Sequence, residues 1–326
     1  MKKRILSGMR PTGPLHLGHL VGALKNWVRL QDEHECFYMV ADWHALMSEY
    51  ENPKELKQNI IGCVVDWIAC GVDPDKSAIF VQSDVPAHLE LDMVLSCITP
   101  LSWLERCPTY KEQLREITTR DLTTYAFLGY PVLQAADILV YRANAVPVGV
   151  DQSAHLELTR EIARRCNSLY GEIFPEPETL LTESPKLLGT DSRKMSKSYG
   201  NFIALGDQPK DIKKKTAAMF TDPKRIYKHD RGHPDKCNVH AYYKIFSPGL
   251  ADERTEQCRA AGIGCAECKK CLSDILIDTL APIRDKRTKL LDDRSGLLDI
   301  LKKGAEKAGA VTGRTMKDVR DKIGFL

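Results

Sequence analysis

The chain has 326 residues, 43% of them hydrophobic, with 47 Lys and Arg against 44 Asp and Glu. This length is enough for about two domains with a proper core. No apolar run nears the roughly 18 residues of a membrane span, and no apolar stretch follows Met1-Lys2-Lys3-Arg4 as it would in a secretory leader, so a soluble, cytoplasmic protein is expected.

In chain order, 4–8 reads as a short strand, 9–15 as a Pro/Gly loop and 17–31 as an amphipathic helix. A strand at 36–40, a helix at 54–70 and a strand at 77–82 follow, then helical sequence as far as 120. A helix over 130–142, a strand at 146–150 and a helix from 153 to 165 complete the alternation, until Phe174-Pro175-Glu176-Pro177 breaks it. Strands alternating with helices predict an α/β fold, a Rossmann-like doubly wound parallel sheet. After residue 201 the strands fade and helical periodicity takes over, as in 272–280 and 315–323. Charge changes with it: from residue 205 onward 26 Lys and Arg face 18 Asp and Glu, whereas the remainder holds 21 against 26. A basic helical third on an acidic body suits contact with a polyanion.

Two segments suit phosphate chemistry. In an open α/β sheet, ligands bind beyond the carboxyl ends of the strands. The loop at 9–15 lies there and feeds a helix N-terminus whose free N–H groups and dipole favour phosphate oxygens. His16-Leu17-Gly18-His19 opens that helix: Gly18 lets a nucleotide approach the backbone, and His16 and His19 can donate hydrogen bonds as charge builds. Lys194-Met195-Ser196-Lys197-Ser198, in a Gly/Ser-bearing loop, makes a mobile cationic clamp able to follow a leaving pyrophosphate.

In this order and on this fold, the two segments resemble the HIGH and KMSKS signatures of class I aminoacyl-tRNA synthetases. Ser7-Gly8-Met9-Arg10-Pro11-Thr12-Gly13, Ala41-Asp42-Trp43-His44-Ala45-Leu46, the run from Tyr130 through Asp137 to Leu139, and Val146-Pro147-Val148-Gly149-Val150-Asp151-Gln152 narrow the resemblance to the tryptophanyl-tRNA synthetases. The family implies adenylation of tryptophan by ATP with Mg²⁺, then acyl transfer to the terminal adenosine of tRNA(Trp). It implies a homodimer, a catalytic domain over 1–190, a KMSKS loop over 191–203 and a helical anticodon-binding domain over 204–326; neither a membrane nor DNA is a partner.

By the same resemblance, Arg10, Pro11, Thr12, Gly18 and His19 line the ATP site, with Gly149, Val150 and Asp151 at the adenosine and Leu187 near the adenine. Lys194, Met195, Ser196, Lys197 and Ser198 close over the phosphates, and His16, His19, Lys194 and Lys197 are the catalytic set. Asp137 accepts the indole N–H, a group that can only donate. Tyr130, Gln134 and Asp137 share one helical face, and Gln152 completes the tryptophan pocket. The pattern Tyr-x3-Gln-x2-Asp also resembles the tyrosine-binding helix of tyrosyl-tRNA synthetases. Gln134, Leu6 and Arg10 stand where many tryptophan enzymes carry Met, Phe and Gln, so tyrosine remains the alternative substrate.

Cys237, Cys258, Cys265 and Cys268 follow a C-x20-C-x6-C-x2-C spacing in a polar, glycine-bearing stretch. Four thiolates suit tetrahedral zinc or a 4Fe-4S cluster, and spacing alone favours zinc. The resemblance points instead to the subset of bacterial tryptophanyl-tRNA synthetases that carry a 4Fe-4S cluster in the anticodon-binding region, with Lys269 and Lys270 near the anticodon backbone. Cys271, three residues past Cys268, is an alternative fourth ligand.

Overall fold

The computed structural model describes residues 2–116, 121–148, 153–181, 187–195, 197 and 199–325. Five parallel strands, β1 (Arg4–Met9), β2 (Glu35–Val40), β3 (Ser77–Val81), β4 (Ala145–Val148) and β5 (Glu178–Leu181), form one sheet in the order β3-β2-β1-β4-β5. The expected doubly wound sheet is present, and its strand order reverses between β1 and β4, the place where such sheets bind ligands.

Strand side chains alternate between two cores. Ile5, Cys36, Tyr38, Val40, Ile79 and Val81 point into one; Leu6, Phe37, Met39, Ala78 and Phe80 point into the other. A strand buried on both faces reads as a continuous apolar run, which is why β2 and β3 were legible. The four-residue strand β5 was not expected: Glu178–Leu181 is too short and too mixed to carry a period, and it owes its place to pairing with β4.

The helix after β1 is continuous through Leu17–His19, Leu20–Leu24 and Lys25–Glu33, with its middle segment wound as a π-helix. The helix expected at 130–142 begins earlier, at Tyr125, because the Thr124 hydroxyl caps it by accepting the Phe127 N–H at 3.3 Å. Pro131 is therefore carried inside the helix, not at its start. Three helices, Ala87–Ser96, Leu101–Glu105 and Pro108–Glu116, occupy the stretch before residue 117.

The last helix, Arg294–Ile323, crosses the edge strand β3. Its Leu297 and Leu301 join one core while Ala308, Val311, Met316 and Val319 join the other. Gly304 marks the crossing: a Cβ there would lie 1.8 Å from the Ile79 carbonyl oxygen. The helix thus covers an edge that would otherwise offer unpaired backbone. Among the described residues, no helix is long and apolar enough to cross a membrane.

Candidate active site

A cavity of about 630 Å³ opens beyond the carboxyl ends of β1 and β4, a volume suited to a small-molecule ligand. Strand residues Leu6 to Met9 and Val146 and Pro147 form one side, while Tyr130, Gln134 and Asp137 enter together from the helix Tyr125–Val140. The expectation that these three share a face holds.

Asp137 is the most constrained group. It is buried, and its Oδ1 accepts from Gln82 Nε2 and His88 Nδ1, both at 2.7 Å, while Oδ2 accepts from His44 Nε2 at 2.8 Å. Burial opposes its charge, but the bonds from His44 and His88 outweigh it and hold the carboxyl below its ordinary value. A carboxylate has no proton to give, so both ring nitrogens facing it carry hydrogens. The far nitrogen of His88 is then free to accept from the Tyr141 hydroxyl at 2.9 Å, and burial keeps that phenol protonated. Three of the roughly four acceptor positions of the carboxylate are filled by the protein. Among the described residues no further donor reaches the carboxylate, so one acceptor position is left on Oδ2, on a residue that lines the cavity.

Tyr130 is held by its hydroxyl to His155 Nε2 at 2.9 Å, and both residues line the cavity. Arg10 also lines it, open to solvent yet walled in by protein, and the loss of hydration lowers its pKa.

The two phosphate segments meet. Lys197 Nζ donates to the Gly13 carbonyl at 3.0 Å and to Thr12 Oγ1 at 3.4 Å. Met195 Sδ lies 3.3 Å, and the His16 ring 3.0 Å, from where a Cβ on Gly18 would stand. The room expected beside Gly18 is thus shared by these two side chains. His19 Nδ1 accepts the backbone N–H of His16 at 3.2 Å, the two rings stand 3.8 Å apart, and His19 lines the cavity. Burial, with the Lys197 charge, lowers His16 to about 4, and His19 falls to about 2 for the same reasons and for the presence of His16. Both are neutral at pH 7, so each has one ring N–H to offer rather than a charge. Lys194 is placed apart from this contact: it pairs with Leu188 in an isolated bridge and its side chain is exposed. Pro11 and Leu187 are buried, Leu187 within the core. Gly149, Val150, Asp151, Gln152, Ser196 and Ser198 lie outside the described residues.

Residues 1–281 match the family of class I tRNA synthetases for tryptophan and tyrosine (W and Y). The tryptophan–tRNA ligase of Thermotoga maritima is 52% identical over 328 residues, covering 99% of both chains. That of Deinococcus radiodurans is 41% identical, again over 99% of each. The tryptophanyl-tRNA synthetase of Campylobacter jejuni, solved with ADP and tryptophan, superimposes with a TM-score of 0.90 at 34% identity, covering 99% of this chain and 100% of its own. The chain belongs to the class I tryptophanyl-tRNA synthetases. A tyrosyl-tRNA synthetase from Archaeoglobus fulgidus, 21% identical with a TM-score of 0.68, shares the fold alone.

Within the synthetase, the base of the KMSKS loop is tied to the C-terminal helices. Asn238 Nδ2 donates to the Gly189 carbonyl at 2.7 Å, and the Tyr242 hydroxyl donates to that of Leu188 at 2.7 Å. Asn201 closes the loop on itself through Asp191 Oδ1 at 2.8 Å and the Lys194 carbonyl at 3.1 Å.

The cysteines answer their expectation only in part. Among the described residues, no three His, Cys, Asp or Glu side chains gather so as to hold a metal ion. The fourfold ligand set of Cys237, Cys258, Cys265 and Cys268 is not assembled here. Burial raises the thiols of Cys237, Cys258 and Cys268, the last to about 11. A Cβ on Gly232 would meet Cys258 Sγ at 2.3 Å, so that position keeps clear space for the sulfur. Lys269 donates from its ammonium to the Ala217 carbonyl at 2.9 Å.

Sequence reasoning missed Gln82 and His88. Neither has a spacing relation to Asp137, and only the fold brings the strand end and the helix Ala87–Ser96 against it.

Proposed function

We propose that the cavity activates L-tryptophan with ATP to tryptophanyl-adenylate and that the acyl group then passes to the 3′-terminal adenosine of tRNA(Trp). The observation that carries this reading is Asp137, a buried carboxylate with one acceptor position left at the cavity wall. The indole N–H is a lone donor of matching polarity inside an otherwise apolar group.

In this reading the tryptophan carboxylate attacks the α-phosphorus of ATP in line, the bond to the bridging oxygen breaks, and pyrophosphate leaves with the electron pair. The carboxylate needs no general base, so the residues work by positioning and by balancing charge. Arg10, Pro11, Thr12, Gly18 and His19 form the ATP side, with Gly149, Val150, Asp151 and Leu187 toward the nucleoside. His16, His19, Lys194 and Lys197 face the developing charge, with Met195, Ser196 and Ser198 in the same loop. Tyr130, Gln134, Asp137 and Gln152 hold the amino acid. Mg²⁺, when bound, would supply further positive charge to balance the leaving pyrophosphate alongside Lys194 and Lys197.

Residues 204–326 serve as the anticodon-binding domain of a cytoplasmic homodimer. Cys237, Cys258, Cys265 and Cys268 hold a 4Fe-4S cluster there, with zinc as the alternative occupant. Their donor chemistry fits such a group, and Cys271 stays the alternative fourth ligand.

ATP–pyrophosphate exchange, driven separately by tryptophan and by tyrosine, tests the reading. Exchange with tryptophan is expected; exchange with tyrosine alone moves the substrate to the neighbouring family, and silence with both removes the activity.

A further inference from the structure

The helix Cys265–Asp292 carries Cys265, Cys268 and Cys271 at one end and Arg287 near the other, about 33 Å from Cys265 at the rise of an α-helix. Arg287 reaches out of this C-terminal helix into the sheet domain. Its Nε donates to Asp66 Oδ1 at 2.8 Å, and Asp66 sits on the helix Leu56–Ala69, itself only 2% exposed. The backbone N–H of Leu15 also favours the charged form of Asp66. Leu15 is the residue immediately before the HIGH segment.

The same guanidinium lies against the chain leaving the KMSKS loop. A Cβ on Gly206 would fall 2.9 Å from Arg287 Nη1 and 3.1 Å from its Cζ, so the guanidinium packs close against the bare backbone there. Between these two contacts the HIGH segment and the KMSKS exit are paired: Leu17 N–H donates to the Ile203 carbonyl at 3.0 Å and Leu205 N–H to that of Leu15 at 2.9 Å. One arginine from the C-terminal region therefore stands beneath both phosphate segments at the point where they join.

We infer that Arg287 and Asp66 are positioning residues for ATP, a buried ion pair through which the helix Cys265–Asp292 fixes the HIGH segment and the KMSKS exit in register. Neither residue lines the cavity among the described residues, so they act through Leu15 and Gly206 and not on the nucleotide itself. The charge of Arg287 is needed for the acceptor to persist. Burial pushes the Asp66 carboxyl up to about 6 against the pull of Arg287, the Leu15 N–H and Lys197. Without the guanidinium, Asp66 tends to take a proton at neutral pH and loses part of its hold on Leu15. A displacement of the phosphate-facing segment by a fraction of an ångström is enough to be felt in the rate.

This inference rests on the reading of the cavity as an ATP and tryptophan site, and the experiment separates the two. Steady-state pyrophosphate exchange is measured for the full-length wild type, Arg287→Met, Arg287→Lys, Asp66→Asn and the double variant, with ATP and tryptophan each varied. The expected result is a loss of about ten- to a hundred-fold in kcat/KM for ATP in both single variants, with the KM for tryptophan within about two-fold and the double variant no worse than Arg287→Met. Arg287→Lys, which keeps the charge but loses the Nε–H bond, is expected to fall between. Wild-type ATP parameters in a folded single variant overturn the proposal, as does a rise in the KM for tryptophan equal to that for ATP, or additive losses in the double. Should Arg287→Met not fold, Arg287→Lys and Asp66→Asn decide by the same criterion. A wild type that does not exchange with tryptophan overturns the functional reading instead.

Discussion

Lys197 lies across the loop after β1, its ammonium 3.0 Å from the Gly13 carbonyl oxygen and within reach of the Thr12 hydroxyl. Two segments 184 residues apart in sequence are thereby joined by one cation. Burial lowers the Lys197 pKa, and the nearby Arg10 charge adds to the effect. A partly desolvated cation held by neutral oxygens is poised to exchange them for phosphate oxygens.

Replacing Lys197 with Ala is therefore expected to lower kcat for pyrophosphate exchange by about 10²- to 10³-fold, the usual scale for removing one charge-stabilising donor. Binding of tRNA, measured by filter retention, should stay within about two-fold. Undiminished exchange would remove Lys197 from the phosphate chemistry.

Asp137→Asn turns one oxygen into a donor that faces His44 or His88, both placed to donate. The variant is expected to lose about ten- to a hundred-fold in kcat/KM for tryptophan, the scale of one charge-assisted hydrogen bond, with the KM for ATP little changed. An analogue with sulfur in place of the indole nitrogen should discriminate poorly between variant and wild type, having no N–H to lose. Equal penalties for analogue and tryptophan would argue that Asp137 serves only the fold.

How much of this was legible in the sequence differs residue by residue. The loop at 9–15, His16, His19 and the two lysines are local patterns, and a local pattern survives in one dimension. Tyr130, Gln134 and Asp137 were readable because a helix places i, i+4 and i+7 on one side. His88 against Asp137, Arg287 against Asp66 and Gly304 against Ile79 are meetings of distant segments, and no spacing records them. The strand β5 belongs with these, since its four residues become a strand only beside β4.

The Cys271 ambiguity is open to direct measurement. Because Cys268 completes the C-x20-C-x6-C-x2-C spacing and Cys271 lies three residues beyond it, anaerobically prepared Cys268→Ser is expected to lose its iron and sulfide. Cys271→Ser should keep about four of each per chain. The reverse pattern would exchange the two ligands, and stoichiometric zinc without sulfide in the wild type would remove the cluster.

Gly304 offers a test of the fold. A Cβ 1.8 Å from the Ile79 carbonyl oxygen cannot be relieved by a side-chain rotation, because the obstacle is backbone. Gly304→Ala should gain helix propensity of about 1 kcal/mol and lose more through forced separation of the last helix from β3, on the scale of about 1–3 kcal/mol or above for overpacking. A net fall in Tm is expected; a rise would mean that the helix stands off the sheet edge.

The two histidines of the HIGH segment set a pH dependence whose sign can be worked out. Unfolded, each imidazole takes a proton near pH 6.5, whereas in the fold His16 does so only at about 4 and His19 at about 2. Between those values the unfolded chain binds more protons than the native one, so stability rises with pH there and drains away as pH falls below 6.5. By pH 5 the loss is about 2 kcal/mol for each histidine. Asp137, with its depressed pKa, acts in a separate window, withdrawing its contribution only below its ordinary value of 3.8. Urea midpoints measured from pH 7 to 5 should therefore fall in the wild type and fall less steeply in His19→Asn, which has no proton to take. Parallel slopes for the two proteins would mean that His19 titrates normally in the fold, and the account of a neutral imidazole pair beside the phosphate loop would have to be given up.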